Sequence, residues 1–204
     1  PDSVTTIGNT AFYSCDSLTS VEIGDSVTTI GNSAFYSCDS LTSVEIGDGV
    51  TSIGMDAFRG CSSLTSIEIP DSVTSIGYDA FYGCSSLVSI EIPDSVTSIG
   101  VSAFSGCSAV ATITIGSGVS TIGDYAFYGC TSLENVVIQH GAKTIGNSAF
   151  YNCANLKTIA IPDTIEHIGG LVFAQTSLTD IWYAGTEEQK NKIYIHNPIE
   201  EVTW

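Results

Sequence analysis

Basic residues are nearly missing from this sequence: 22 aspartates and glutamates face only five lysines and arginines, a formal net charge of -17 over 204 residues. At that charge a nucleic-acid backbone or an anionic membrane surface is repelled at long range, which leaves basic or neutral partners. Charged residues of both signs make up only 13% of the chain and apolar residues 43%, which excludes a disordered polymer. No apolar run approaches the roughly 20 residues of a spanning helix, so no membrane insertion is expected. Motifs of common chemistry are also missing. There is no G-x-S-x-G, no phosphate-binding glycine loop, no H-E-x-x-H, and no C-x-x-C or histidine at metal-ligand spacing. The three histidines, His140, His167 and His196, fall at unrelated phases; the first two read as solvated turn or strand residues and the third as part of a tail.

What the chain has instead is one short sentence said eight times. Phe12, Phe35, Phe58, Phe81, Phe104, Phe127, Phe150 and Phe173 are all its phenylalanines, each 23 residues after the last. A fixed short period implies one elongated array that grows by adding coils, not the one or two globular domains that length alone would suggest. Catalysis needs different groups converging at one place, so repetition argues against an enzyme. The N-terminal part is the more acidic, with 13 acids and one base, Arg59, in residues 1–115, against nine acids and four lysines in 116–204. Pro1 opens the sequence mid-repeat, which reads as an excised fragment and predicts an uncapped first coil: a monomer, or weak end-to-end association through that coil.

One coil, Gly24 to Ile46, serves for all. Asp25-Ser26, or Pro-Asp-Ser at Pro70 and Pro93 and Pro-Asp-Thr at Pro162, is turn chemistry. Val27-Thr28-Thr29-Ile30 suits a short extended segment or strand. Glycine then holds the same place in every copy (Gly31 here), which fits a corner needing positive φ or a close backbone approach between coils. Ala34, Phe35, Cys38 and Leu41 follow at three-to-four-residue spacing, which predicts a turn or two of helix or 3-10 helix on an outer, convex wall. Val44 and Ile46 alternate with Ser43 and Glu45, which predicts a strand with the apolar pair inward. Val27, Ile30, Ala34, Phe35, Cys38, Leu41, Val44 and Ile46 form the candidate core, buried against the coils on either side.

The pattern L-x-x-[IV]-x-I-x-x-x-V-x-x-I-G-x-x-A-F-x-x-C resembles the BspA-like, or Treponema pallidum-type, leucine-rich repeats, and it covers the chain from Pro1 to about Ile181. The resemblance implies a leucine-rich-repeat solenoid with parallel strands on the concave side and short helical or 3-10 turns on the convex side. It further implies a secreted or cell-surface bacterial protein that adheres to host or other cell-surface proteins. It supplies no catalytic residue and no cofactor, and its motif fixes no binding residue. Two divisions are expected: an array over 1–181 and a capping segment over 182–204. In the latter, Thr186 and Gln189 form a capping-box pattern for a short helix to about Ile193, and Val202-Thr203-Trp204 suit a last strand. Lys190 stands where the similar G-T-E-E-Q-W ending has Trp, so Trp182 or Trp204 is expected to cover the last core layer.

Three columns are candidates for function. Cys15, Cys38, Cys61, Cys84, Cys107, Cys130 and Cys153 recur at one spacing, with Thr176 in the eighth place; side chains that point the same way, in odd number, favour a ladder of buried free thiols over disulfides. Glu22, Glu45, Glu68 and Glu91 face outward on the strands and are continued by Thr114, Val137, Ala160 and Trp182, an acidic ladder fit for a basic partner or a loosely held cation, or one copied by duplication. Tyr13, Tyr36, Tyr82, Tyr128 and Tyr151 follow the phenylalanines and offer flat faces to protein or glycan, unless each ring simply stacks on the ring in the next coil. The function these features suggest is a non-enzymatic adhesion or interaction module whose partner is a host extracellular or matrix protein, with a glycan possible. The alternative is a rigid spacer presenting another domain.

Overall fold

In the computed structural model, which describes residues 3–195, the chain winds as a solenoid of about eight coils that stack their strands in parallel. Two-residue strands run from Thr6–Ile7 through Thr29–Ile30 and its successors to Tyr194–Ile195, and they form a single nine-stranded parallel sheet. Each pairs with the strand 23 residues away, as Thr29 with Ser52 and Ile30 with Ile53, except the last, where Tyr194 pairs with His167 across 27 residues. Threonine holds this sheet by its side chain as well as its backbone. The hydroxyls of Thr28, Thr51, Thr74 and Thr97 each donate to the carbonyl of the equivalent residue one coil earlier at 3.1 Å.

The longer strands make the concave face. Ser20–Ile23, Ser43–Ile46 and Ser66–Ile67 form a three-stranded sheet; Ser89–Ile92, Thr112–Ile115, Asn135–Ile138, Thr158–Ile161 and Asp180–Tyr183 form a five-stranded one. The concave ladder is therefore broken between the third and fourth coils, although Val88 N–H still donates to the Thr65 carbonyl across the break at 3.2 Å. Alternation behaves as expected: Val44 is buried between exposed Ser43 and Glu45, while Ile46 is half-buried.

Between the sheets runs one apolar core. Phe35, Phe58, Phe81, Phe104, Phe127 and Phe150 are fully buried, and their rings stack face to face with centroids 5.0–5.5 Å apart. Phe12, with a neighbour on one side only, is 39% exposed.

The convex wall corrects the expectation of helix. It is a chain of turns in which alternate N–H groups look in different directions. Ala34, Tyr36 and Cys38 donate within the coil, three residues back, at 3.2–3.3 Å; Ser33, Phe35 and Ser37 donate to Met55, Ala57 and Arg59 of the next coil at 2.7–2.8 Å. A helix would spend all six internally. Left-handed residues enforce the alternation, Ser33 at φ 53 and Ser37 at φ 51, with equivalents in every coil. Asp, Ser and Asn fill half of these sixteen places, and Gly60, Gly83, Gly106 and Gly129 take the second one in coils three to six.

The recurring corner glycine works by close approach and not by positive φ. A Cβ on Gly77 would lie 2.6 Å from the Gly54 carbonyl carbon, and on Gly100 2.5 Å from the Gly77 carbonyl oxygen, with no left-handed φ at either. In the tail, the helix is Glu187–Lys190, shorter than expected, and its capping box is complete: Gln189 N–H donates to the Thr186 hydroxyl, and Thr186 N–H donates to Gln189 Oε1. The strand expected at Val202–Trp204, His196 and Trp204 all lie outside the described residues.

Candidate functional site

The acidic column is a geometric column. Glu22 stands opposite Glu45 in the paired strands, and all four glutamates are exposed. A second acidic column flanks it. The turn aspartates Asp25, Asp48, Asp71 and Asp94 sit three residues after each glutamate, a recurrence visible in the sequence but absorbed there as turn chemistry. The two columns share hollows on the concave face. One of about 1030 Å³ is lined by Glu45, Glu68, Asp48 and Asp71, and one of about 860 Å³ at the break in the sheet by Glu68, Glu91, Asp71 and Asp94. No base lines either hollow. Asp25 and Asp94 also have structural work, accepting the N–H of Asp48 at 3.2 Å and of Ser117 at 2.6 Å in the following coil. Among the described residues no group of three or more His, Cys, Asp or Glu is placed to hold a metal ion.

Towards the C-terminus the same column turns apolar. Val137 pairs with Ala160 and Ala160 with Trp182, in register. Trp182 is 68% exposed and Val137 46%, so Trp182 covers no core layer, and the capping role expected of it is corrected. As residue three of the outward-facing alternation in Asp180–Tyr183 it projects from the face that carries the glutamates. Tyr183, one residue on, points in and packs against the core.

The tyrosine column divides in two. Tyr13 stacks on Tyr36 at 4.8 Å and Tyr128 on Tyr151 at 5.2 Å, nearly parallel in both pairs. Tyr82 receives the guanidinium of Arg59 over its ring at 4.3 Å. Ring-on-ring packing thus occupies much of this column, while Tyr13, Tyr82 and Tyr128 keep 38–50% of their surface exposed. Arg59 is fixed by Asp56 at 3.3 Å and Asp79 at 2.9 Å, an ion-pair cluster built from two coils that reading by column did not anticipate. His140 is exposed in a turn with Nδ1 2.8 Å from Asp163, and His167 lies half-buried on a short strand.

All seven cysteines are free and six are buried. Each buried thiol donates to a phenylalanine carbonyl 26 residues earlier, as Cys61 to Phe35 at 3.1 Å and Cys107 to Phe81 at 3.3 Å. Burial pushes the Cys61 and Cys107 thiols up to about 12, and burial together with neighbouring thiols raises Cys84 well above its ordinary value. The thiolate is thus disfavoured in the fold relative to the unfolded chain, where cysteine ionises near 9. The stabilisation is fully present below pH 9 and is lost as pH climbs from about 9 towards 12. We expect urea midpoints to be flat from pH 7 to 8.5 and to fall progressively above pH 9. Native protein should react slowly with a thiol reagent at all but Cys15, and denatured protein should titrate seven thiols.

The repeated sequence that builds these coils is matched by the family model of the BspA type leucine rich repeat region, in six copies over residues 1–109 and 74–197. The chain is a BspA-type leucine-rich repeat protein. The T. pallidum leucine-rich repeat protein is 36% identical, with a TM-score of 0.71 over 75% of this chain and 72% of that one. A leucine-rich cell surface protein of Faecalibacterium prausnitzii is 29% identical at TM-score 0.63, covering 97% of this chain and 68% of the other. A leucine-rich repeat protein of Bacteroides ovatus is 31% identical at TM-score 0.57, covering 88% and 59%. No curated protein matches the chain. BspA-type solenoids of this kind are typically non-enzymatic protein-interaction modules, and no described helix of this one is long and apolar enough to cross a membrane.

Proposed function

We propose that this BspA-type array is a non-enzymatic adhesion module of a secreted or cell-surface protein, which binds a basic host or extracellular protein along its concave face. In this reading the array is residues 1–181 and residues 182–204 are its capping segment. The observation that carries the reading is the outward column itself: Glu22, Glu45, Glu68 and Glu91, doubled by Asp25, Asp48, Asp71 and Asp94, then Val137, Ala160 and Trp182. Glutamates stacked about 4.8 Å apart repel one another, and none of the four makes an ion pair or side-chain hydrogen bond among the described residues, so a partner's lysines and arginines would relieve them. A strongly exposed tryptophan at the far end of the same face supplies an apolar anchor of the sort that dominates protein interfaces. Cell-surface location is supported by the F. prausnitzii relative, which is described as a cell surface protein.

A panel of extracellular matrix proteins and a glycan array, both probed with this chain, test the proposal. Capture of basic matrix proteins, weakening steeply between roughly 50 and 300 mM salt, is the expected result. Failure on the whole panel would turn the assignment to a rigid spacer, a reading favoured by the unbroken nine-stranded sheet and the continuous Phe stack.

A further inference from the structure

Three consecutive coils break a rule that four of the other five keep at one corner, the exception being the last coil with Gly170. The residue after the corner glycine is Asn9, Asn32, Asp124 and Asn147 in coils one, two, six and seven. In each case its side-chain oxygen accepts the backbone N–H at the same place in the next coil. Asn32 N–H donates to Asn9 at 2.8 Å, Met55 N–H to Asn32 at 2.9 Å, Asn147 N–H to Asp124 at 2.7 Å and Gly170 N–H to Asn147 at 2.9 Å. Coils three, four and five carry Met55, Tyr78 and Val101 there instead, so the N–H groups of Tyr78, Val101 and Asp124 have no such acceptor. A stabilising hydrogen bond has been given up three times in succession.

Burial does not explain the exchange. Met55 is 46% exposed, Tyr78 58% and Val101 37%, so a large part of each apolar side chain is left in water. Nor does stacking: Tyr78 forms no ring pair among the described residues, in contrast to Tyr13, Tyr36, Tyr128 and Tyr151. Coils here are about 5 Å apart, judged by ring centroids 5.3 Å apart for Phe58–Phe81 and 5.0 Å for Phe81–Phe104. The three side chains therefore form one continuous apolar ridge, roughly 10 Å long, at the corner between the short-strand sheet and the turn wall.

The surroundings specify what the ridge meets. Asp56 and Asp79 directly follow Met55 and Tyr78, and Asp124 is the next residue along the ridge's own column. Arg59 is already held between Asp56 and Asp79, so the border stays negative. A second copy of this chain carries the same border and a net charge of -17, and is repelled. A saccharide would use the tyrosine face and the carboxylates but gains nothing from the alkyl surfaces of Met55 and Val101. Tyrosine and methionine inside a charged rim is the composition of a protein-interface centre.

We propose that Met55, Tyr78 and Val101 form a second docking surface, separate from the concave face, on which Tyr78 anchors a protein partner that presents an apolar pocket ringed by Lys or Arg. The test replaces the ridge by the repeat's own residue in the triple variant Met55→Asn, Tyr78→Asn, Val101→Asn. Because the variant restores three corner acceptors, its Tm should rise by a few degrees; a fall would assign the ridge a structural role and overturn the proposal. A phage-displayed random peptide library is panned on the wild type with counter-selection on the variant. Enriched peptides should combine aromatic or aliphatic residues with Lys or Arg, bind the variant at least about tenfold more weakly, and bind Glu45→Lys/Glu68→Lys protein without loss. No enrichment, equal binding to the ridge variant, or ridge-dependent binding of a glycan on an array would each overturn it. Loss confined to the glutamate variant would do the same while leaving the concave assignment standing.

Discussion

The Gly100→Ala variant should lose about 2–4 kcal/mol of stability, an effect out of proportion to one methyl group. The new Cβ would sit 2.5 Å from the Gly77 carbonyl oxygen, 2.6 Å from its carbon and 2.7 Å from the Tyr78 nitrogen, all backbone atoms of the preceding coil that no side-chain rotation can move aside. The coils must separate at that corner, stretching the bond from Gly100 N–H to the Ile76 carbonyl, now 3.1 Å. Two controls isolate the cause. A methyl group on Gly8 would meet nothing within 4 Å, so Gly8→Ala should stay within about 0.5 kcal/mol. Gly83, which does have positive φ at 72, should accept asparagine with little loss, because Asn152 occupies the equivalent place at φ 57. Urea denaturation of the three variants checks the order; a mild Gly100→Ala beside a damaging Gly83→Asn would show that conformation and not proximity selects the corner glycine.

Phe104→Ala should cost about 3–5 kcal/mol and also divide the array. Its ring is fully buried between Phe81 at 5.0 Å and Phe127 at 5.5 Å, and each coil contacts only its neighbours, so a hole in the middle weakens both interfaces through which the two halves are coupled. Tryptophan fluorescence reports the C-terminal end, where Trp182 lies, while circular dichroism reports the whole chain. The wild type should unfold with coincident curves and the variant with separated ones. Phe12→Ala, at a ring already 39% exposed, should lose much less and keep the curves together.

These two sites also show where the sequence could be read and where it could not. Period, strand alternation, the Phe stack and the thiol ladder were legible because they depend on which side chains are apolar and how often they return. The turn wall was not, because Ala34, Phe35, Cys38 and Leu41 have the same spacing in a helix and in a chain of turns. The signal that separates the two was present at Ser33 and Ser37 and their equivalents, where Ser, Asp, Asn and Gly accumulate as left-handed residues do. The corner glycine offered two physical readings, and only the distance between coils decides between them. Trp182 was misplaced for a different reason. A large apolar residue after the last repeat suggests a cap, but the alternation of Asp180–Tyr183 turns it outward and sends Tyr183 in.

The binding surfaces were legible only in part. The glutamate column follows from period and alternation alone. Its partner column of aspartates looked like turn chemistry, which it also is, as Asp25 and Asp94 show by accepting backbone N–H groups. Met55, Tyr78 and Val101 stand out only once the Asn9, Asn32, Asp124 and Asn147 hydrogen bonds are seen, since departure from a repeat carries meaning when the repeated residue has a known task.

On the proposed division of labour, inward residues hold this solenoid while the outward concave column binds. One paired measurement on the Glu45→Lys/Glu68→Lys variant separates the two roles: thermal unfolding, and affinity for the matrix protein that the wild type captures most tightly. The Tm should stay unchanged or rise slightly, because two like-charge contacts are relieved, while affinity falls at least about tenfold. An unchanged affinity, or a binding loss that merely follows a fall in Tm, would contradict that division.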